Sequence, residues 1–417
     1  MTRTNAVAAV LLALALVATP AAAAVGQGAT TAAAESTSLQ TTDVTQQSVD
    51  TSSTAGPCEY PLTLRDASGT QVEITGEPER VVTLGPASAQ TMWEFDAQDK
   101  VVGVTQFAAY LDGATAKANV SGAGRARISV ERVVAQQPDV VLAENVTSPE
   151  TVSKLRDAGI TVYYFNNSES IDDVYKKVAT TGRVVGECDA AIESVRSMRE
   201  EMAIVENATA GEEPRDFLYA LFGYTAGENT FINSGLEAAG GNNLAIGVVE
   251  FPPNGYAPIN PETVANLSVD WIVYPGTPAA IPQNAAWNQT TAVQDGNVVA
   301  VDRNHISQPA PRVVLAVRSL TKTWYPDAYA AANESLRGSV QVNADVYASV
   351  DDETTTTSGD DDTDATTSST GDGDATTTTA TDETTTEPVG EDGSPGFGPV
   401  ALLAAAALVV GALARRD

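Results

Sequence analysis

Histidine occurs once in this 417-residue chain, at His305, and cysteine twice, at Cys58 and Cys188. So small a supply excludes zinc sites of the common Cys/His types. Any Ser–His or Cys–His catalytic pair would have to run through His305. Basic residues are scarce as well: 23 Lys and Arg face 54 Asp and Glu, for a formal net charge of −31. Phosphate binding needs a basic face, so the balance argues against nucleic acid as a partner. Only six of the basic residues are Lys, which suggests a salt-loving organism, where an acidic surface keeps a protein soluble in screened solvent. Also missing are a Gly-rich phosphate loop, a Gly-x-Ser-x-Gly elbow and a metal-ligand cluster, so an enzyme reading has little to stand on. What is present is a hydrophobic fraction of 43%, enough for real cores, over a length that allows roughly two or three domains.

The two ends read differently from the middle. Residues 1–24 have a basic start, an apolar run from Ala6 to Val17 and small residues from Pro20 to Ala24. This is the pattern of a secretory signal peptide, cleaved near Ala22–Val25; the run is short for a membrane anchor and stops at Pro20. Residues 25–57, rich in Ser and Thr, form a flexible spacer. Residues 334–393 form an acidic Thr-rich stalk. Within it, positions 351–392 hold 14 Asp or Glu and no Lys or Arg, so no core can form and like charges keep the chain extended. A neutral chain of about 60 residues would span about 40–45 Å r.m.s.. Residues 394–417 carry Pro395, Gly396 and Phe397, then an apolar run from Val400 to Leu413 and the pair Arg415-Arg416. That order resembles a haloarchaeal surface-sorting signal, which implies cleavage near the motif and transfer to a lipid, much as in GPI anchoring. An ordinary tail anchor would equally leave the protein on the extracellular face of the cell membrane. Seven Asn-x-Ser/Thr sequons, at Asn119, Asn145, Asn166, Asn207, Asn266, Asn288 and Asn333, are candidate glycosylation sites of an exported glycoprotein.

Between these ends, residues 58–333 carry 34 acidic and 19 basic side chains, so about half the net charge belongs to sequence outside the folded core. Short apolar runs at 80–84, 101–105, 140–143, 161–165, 216–220, 271–274 and 297–301 alternate with helical patterns. The alternation predicts an α/β fold with mainly parallel sheets. From Ile171 to Val205, apolar residues recur at nearly heptad spacing, which predicts a long helix or two collinear ones, with Gly182 and Gly186 as kink sites. It divides the core into an N-terminal lobe (58–170), a connecting helix (171–209) and a C-terminal lobe (210–333). A weak repeat supports two lobes: Glu131 precedes the strand that starts at Asp139 by eight residues, and Glu262 precedes Asp270 by the same eight. Ser129 is a plausible N-cap for the first short helix and Pro261 a good first-turn residue for the second. A first-turn carboxylate also suits the helix dipole, which by itself would account for both Glu residues.

The segments Glu79-Arg-Val-Val-Thr-Leu-Gly-Pro-Ala-Ser88, Ser129-Val-Glu-Arg-Val-Val134, Gln137-Pro-Asp-Val-Val-Leu142, Gly235-Leu-Glu-Ala-Ala-Gly-Gly-Asn242 and Asn260-Pro-Glu-Thr-Val264 resemble, in order, the helical-backbone binding proteins of ABC importers for vitamin B12, iron–siderophores and heme. The resemblance covers about residues 60–333. It implies two α/β lobes joined by a single long helix, as in class III periplasmic binding proteins, and a ligand held in the cleft between them. It further implies no intrinsic cofactor, a metal-chelate ligand (ferric siderophore, cobalamin or heme), and docking onto an ABC permease dimer with its ATPase subunits by a protein that is monomeric until then. The docking Glu of each lobe matches Glu131 and Glu262. Loops after the strands, where open α/β sheets bind ligands, supply candidate cleft residues Ser88, Tyr110, Arg125, Asn145, Phe222, Tyr224, Tyr256, His305 and Arg312. The family's B12-binding members use a Trp-rich pocket, and Trp is absent from most of the corresponding loops here. Cys58 and Cys188 are most simply a disulfide in an exported protein; the alternatives are two free thiols, or lipidation of Cys58, which lies far from the expected signal cleavage. Two other functions stand beside delivery to an importer: a structural or adhesive surface glycoprotein, which stalk and anchor suit, and a cell-surface enzyme.

Overall fold

The computed structural model describes residues 58–123, 128–340 and 347. The expected signal peptide and spacer, nearly all of the expected stalk, the motif Pro395, Gly396 and Phe397, and the candidate Arg125 lie outside the described residues. The chain begins with an antiparallel hairpin, β1 (Leu62–Arg65) and β2 (Gln71–Ile74). The N-lobe follows: β3 (Val81–Thr83), α1 (Pro86–Glu94), β4 (Val101–Val104), β5 (Ala118–Asn119), α2 (Val130–Ala135), β6 (Val140–Ala143), α3 (Pro149–Asp157) and β7 (Val162–Tyr164). Its five strands are parallel, in the order β5-β4-β3-β6-β7. β3 and β6 are buried at every position, which is why they read as unbroken apolar runs rather than as alternating strands.

Two helices come next, α4 (Ile171–Val185) and α5 (Cys188–Thr209). They are not collinear. α4 is fixed at its start by a capping box of Ser170 and Asp173 and stopped at Gly186, which turns with φ +82°, a conformation natural to glycine at a helix C-terminus. A side chain at Gly182 would run into Ala191, so the two helices come close as they reverse. α4 begins at the C-lobe, where the Ile171 N–H donates to Ser234 Oγ at 3.3 Å. It ends at the base of the N-lobe, where Lys100 Nζ donates to Val185 O at 2.9 Å and pairs with Glu77 and Glu187. The return by α5, whose 22 residues span about 33 Å, makes the lobe-to-lobe connection.

The C-lobe contains β8 (Arg215–Tyr219), β9 (Tyr224–Ala226), α6 (Phe231–Ala238), β10 (Gly241–Asn243), β11 (Tyr256–Pro258), α7 (Pro261–Asn266), β12 (Trp271–Pro275), α8 (Ala285–Asn288), α9 (Thr291–Asp295), β13 (Val298–Val301), α10 (Arg303–Ile306), α11 (Val313–Trp324) and α12 (Pro326–Leu336). Four strands form a parallel sheet in the order β10-β8-β12-β13, and β9 pairs with β11 in an antiparallel ribbon. The order β4-β3-β6-β7 in one lobe corresponds to β10-β8-β12-β13 in the other. One hydrophobic cluster passes through both lobes, from Val81 and Met92 across Val178 and Val195 to Phe217 and Leu320. Smaller clusters pack the far face of each sheet. Cys58 and Cys188 are joined, tying the start of the described chain to the first residue of α5.

Candidate functional site

The two repeated Glu residues occupy equivalent places. α2 is capped by the Ser129 side chain and α7 by that of Asn260, and Glu131 and Glu262 are each the second residue after the cap. α2 leads into β6 and α7 into β12, the matching strands of the two sheets. The start of each helix lies at the carboxyl end of its sheet. Ser129 N–H donates to Val120 O beyond β5, and Ile259 N–H donates to Gly223 O beyond β8. Both carboxylates are exposed. The backbone N–H at the helix start and the Ser129 hydroxyl, 2.9 Å from Glu131 Oε2, hold the Glu131 carboxyl below the usual carboxylate range.

Between the lobes the contact is polar and specific. Gln90, buried on α1, donates from Nε2 to Asn304 O (2.9 Å) and to Tyr110 Oη (2.9 Å), while its Oε1 accepts the Arg312 N–H at 3.1 Å. Arg312 Nε reaches across to Glu94 Oε1 at 2.7 Å. Tyr110 is half-buried and its phenol is pushed up to about 12, chiefly by burial. Arg312, expected to meet ligand, therefore also holds the lobes together, and Tyr110 steadies Gln90 from within the N-lobe. Ser88 is a correction: it is fully buried in the first turn of α1, where its N–H donates to Glu144 Oε1 at 2.6 Å. Its N–H is thus tied to the residue that follows β6, and its side chain has no exposed surface to offer a ligand. A Cβ at Gly85 would stand 2.3 Å from that same Glu144 carboxyl group, so any larger residue there would displace it.

The remaining candidates lie at the carboxyl ends of the strands. Asn145, beyond β6, is exposed and its side chain donates to Asn167 Oδ1 at 2.9 Å. Phe222, with φ +51°, turns the chain between β8 and β9 and packs against both C-lobe clusters. Tyr224 pairs with Pro258 and Ala226 with Tyr256, so the two tyrosines share one face of the ribbon, diagonally placed. Burial raises the Tyr256 phenol well above its usual value. His305 sits half-buried on α10, and burial lowers it from its ordinary 6.5. Among the described residues no group of three or more His, Cys, Asp or Glu is placed to hold a metal ion. The residues that sequence reasoning passed over are Gln90, Glu94, Glu144 and Asn304. None carried a local signal: Gln90 and Glu94 lie on a helix that also holds Ser88 and Thr91, so polarity alone does not single them out.

Two parallel-sheet lobes, a helical connector and equivalent helix starts at the carboxyl ends of the two sheets define a two-lobed binding protein. Residues 81–304 match the periplasmic binding protein family, and the chain belongs to it. A cobalamin-binding protein of Halobacterium salinarum is 43% identical over 268 residues, 62% of this chain and 72% of that protein. An uncharacterised ABC-transporter substrate-binding lipoprotein of Bacillus subtilis is 29% identical over 282 residues, 65% of this chain and 87% of that one. Among solved structures, one from Saccharomonospora viridis, described as an ABC-type Fe3+-hydroxamate transport system, aligns with a TM-score of 0.52 and 26% identity, covering 64% of this chain and 99% of that one. These relatives are named for binding and transport, in line with a protein that captures rather than converts.

Proposed function

We propose that the chain is a cell-surface-anchored substrate-binding protein of an ABC importer, which holds cobalamin between its lobes and delivers it to a permease dimer with its ATPase subunits. The observation that carries this is the 43% identity to a protein named for cobalamin binding, sustained over 268 residues. The scarcity of Trp in the cleft loops favours a pocket walled by tyrosine instead, and Tyr224 and Tyr256 on one ribbon face suit a flat macrocycle. The Glu131 and Glu262 pair supplies the docking contact: two exposed carboxylates at equivalent helix starts match a symmetric dimer of receptors for negative charge. Signal peptide, stalk and C-terminal motif supply the anchor. Six sequon asparagines, at 119, 145, 166, 207, 266 and 288, are exposed and open to glycosylation. Asn333 is half-buried and accepts from Arg337 at 2.6 Å, which suits it less.

The test is equilibrium binding to the purified chain in high salt, with cobalamin, heme and a ferric hydroxamate compared. One saturable equivalent of cobalamin, with weaker binding of the other two, is expected. Saturation by heme or the ferric chelate with none by cobalamin would overturn the ligand assignment. The S. viridis likeness makes the hydroxamate the second reading.

A further inference from the structure

A half-open cavity of about 490 Å³ lies between the N-lobe and α4, and none of the candidate cleft tyrosines lines it. Its walls are β1, the segment after β7 and α4 from Asp173 to Thr180, with Phe165, Asn167, Lys177 and Thr180 among the lining residues. That volume falls within the about 300–1,000 Å³ typical of small-molecule sites.

Lys177 is the unusual member. It is only 6% exposed, and its ammonium stands 5.4 Å from the centroid of the Phe165 ring. Among the described residues that ammonium has neither a hydrogen-bond acceptor nor a carboxylate at ion-pair distance. Glu144 acts on it from farther off, and the Glu144 carboxylate is already given to the Ser88 N–H. The acids on the cavity wall are engaged too. Asp66 pairs with Arg156 and accepts from Ser68, and Asp173 accepts the N–H groups of Glu169 and Ser170 to cap α4. Glu169 itself stays at the exposed rim. A buried cation is normally paired, because nothing else replaces its hydration. Here the ring face offers a partial substitute, while three ammonium donors look for acceptors and the space beside them is open.

We propose that this cavity is a second binding site, for a small organic carboxylate whose oxygens accept from the Lys177 ammonium. The chemistry of the walls selects the class. The ammonium requires an anion, and a chloride ion would leave most of the volume empty. Phe165 and the aliphatic parts of the wall favour a carbon body over a bare oxyanion. The site needs no ligand in the inter-lobe cleft and does not depend on which chelate is bound there.

Isothermal titration of the full chain in high salt, with benzoate and with succinate as probes and no cobalamin present, tests the assignment. One saturable equivalent is expected for at least one probe. Lys177→Met, which keeps the length and removes the charge, is expected to weaken it at least tenfold. Thr180→Met, which narrows the cavity without touching the charge, is expected to weaken it as well, and serves if Lys177→Met does not fold. Inorganic phosphate is expected to bind more weakly than either acid. No saturable heat with either probe, or affinity unchanged in both variants, or phosphate as the tightest of the three, would overturn the proposal.

Discussion

Gln90 joins the lobes through backbone groups of the C-lobe, the carbonyl of Asn304 and the N–H of Arg312. Removing the amide leaves those part-buried groups without it, so Gln90→Ala is expected to lower stability by about 1–3 kcal/mol. Thermal melting in high salt measures this, and a variant as stable as the wild type would mean that solvent replaces the amide without cost. His305 supplies a pH dependence. Burial favours its neutral form in the folded state and lowers it from 6.5, so the unfolded chain binds the proton more readily. Its contribution is therefore fully present above the ordinary value and is lost as pH falls through the folded one. Melting curves between pH 5 and 8 should show His305→Gln less sensitive to acid than the wild type; equal slopes would place the sensitivity elsewhere. At this scale Glu131 and Glu262 were legible because a motif repeats around them. Glu144 was not, because its partner, the Ser88 N–H, is 56 positions away.

Among the elements, α5 carries the most. It bridges the lobes, receives the disulfide at its first residue, and packs against α11 and α12 of the C-lobe. Its buried Glu200 and Glu201 pair with Arg337 just past α12, and Tyr347 Oη donates to Cys188 O at 2.9 Å. The fold thus continues past the boundary at 333 that composition suggests, since α12 runs to Leu336. The disulfide closes a loop of 130 positions, for which chain entropy gives about 4–5 kcal/mol of stabilisation. Reduction with a thiol, or Cys58→Ser with Cys188→Ser, is expected to lower denaturant resistance by up to that amount, and no change would show that the unfolded chain is little constrained by the bond. Heptad-like spacing identified α4 and α5 as helical but not their reversal. Periodicity records which face is apolar, and the close approach of Gly182 to Ala191 depends on the turn at Gly186.

For the whole molecule, a single core through both lobes, with α5 inside it, leaves little room for hinge motion. Release of ligand would then come from the permease prising the cleft rather than from free opening and closing, and the contact at Glu131 and Glu262 is where that work would be applied. Glu131→Ala combined with Glu262→Ala is expected to abolish uptake and leave ligand binding intact. Parallel loss of binding would place the two residues in the ligand site instead. In high salt these charge pairs are screened, so uptake by the wild type should fall less with added salt than charge steering alone would require.

By itself the sequence determined the class of fold, the two-lobe division, the paired Glu residues and the division of charge between the core and the residues outside it. Each of these is written in local order: apolar runs, caps, and a repeat of eight residues. The tertiary structure decided what depends on residues distant in the chain. It set the reversal of α4 onto α5, the joining of Cys58 to Cys188, the Gln90 contacts between lobes, the burial of Ser88 and the cavity around Lys177. Those are matters of proximity in space, and a one-dimensional pattern records proximity only where the chain repeats itself.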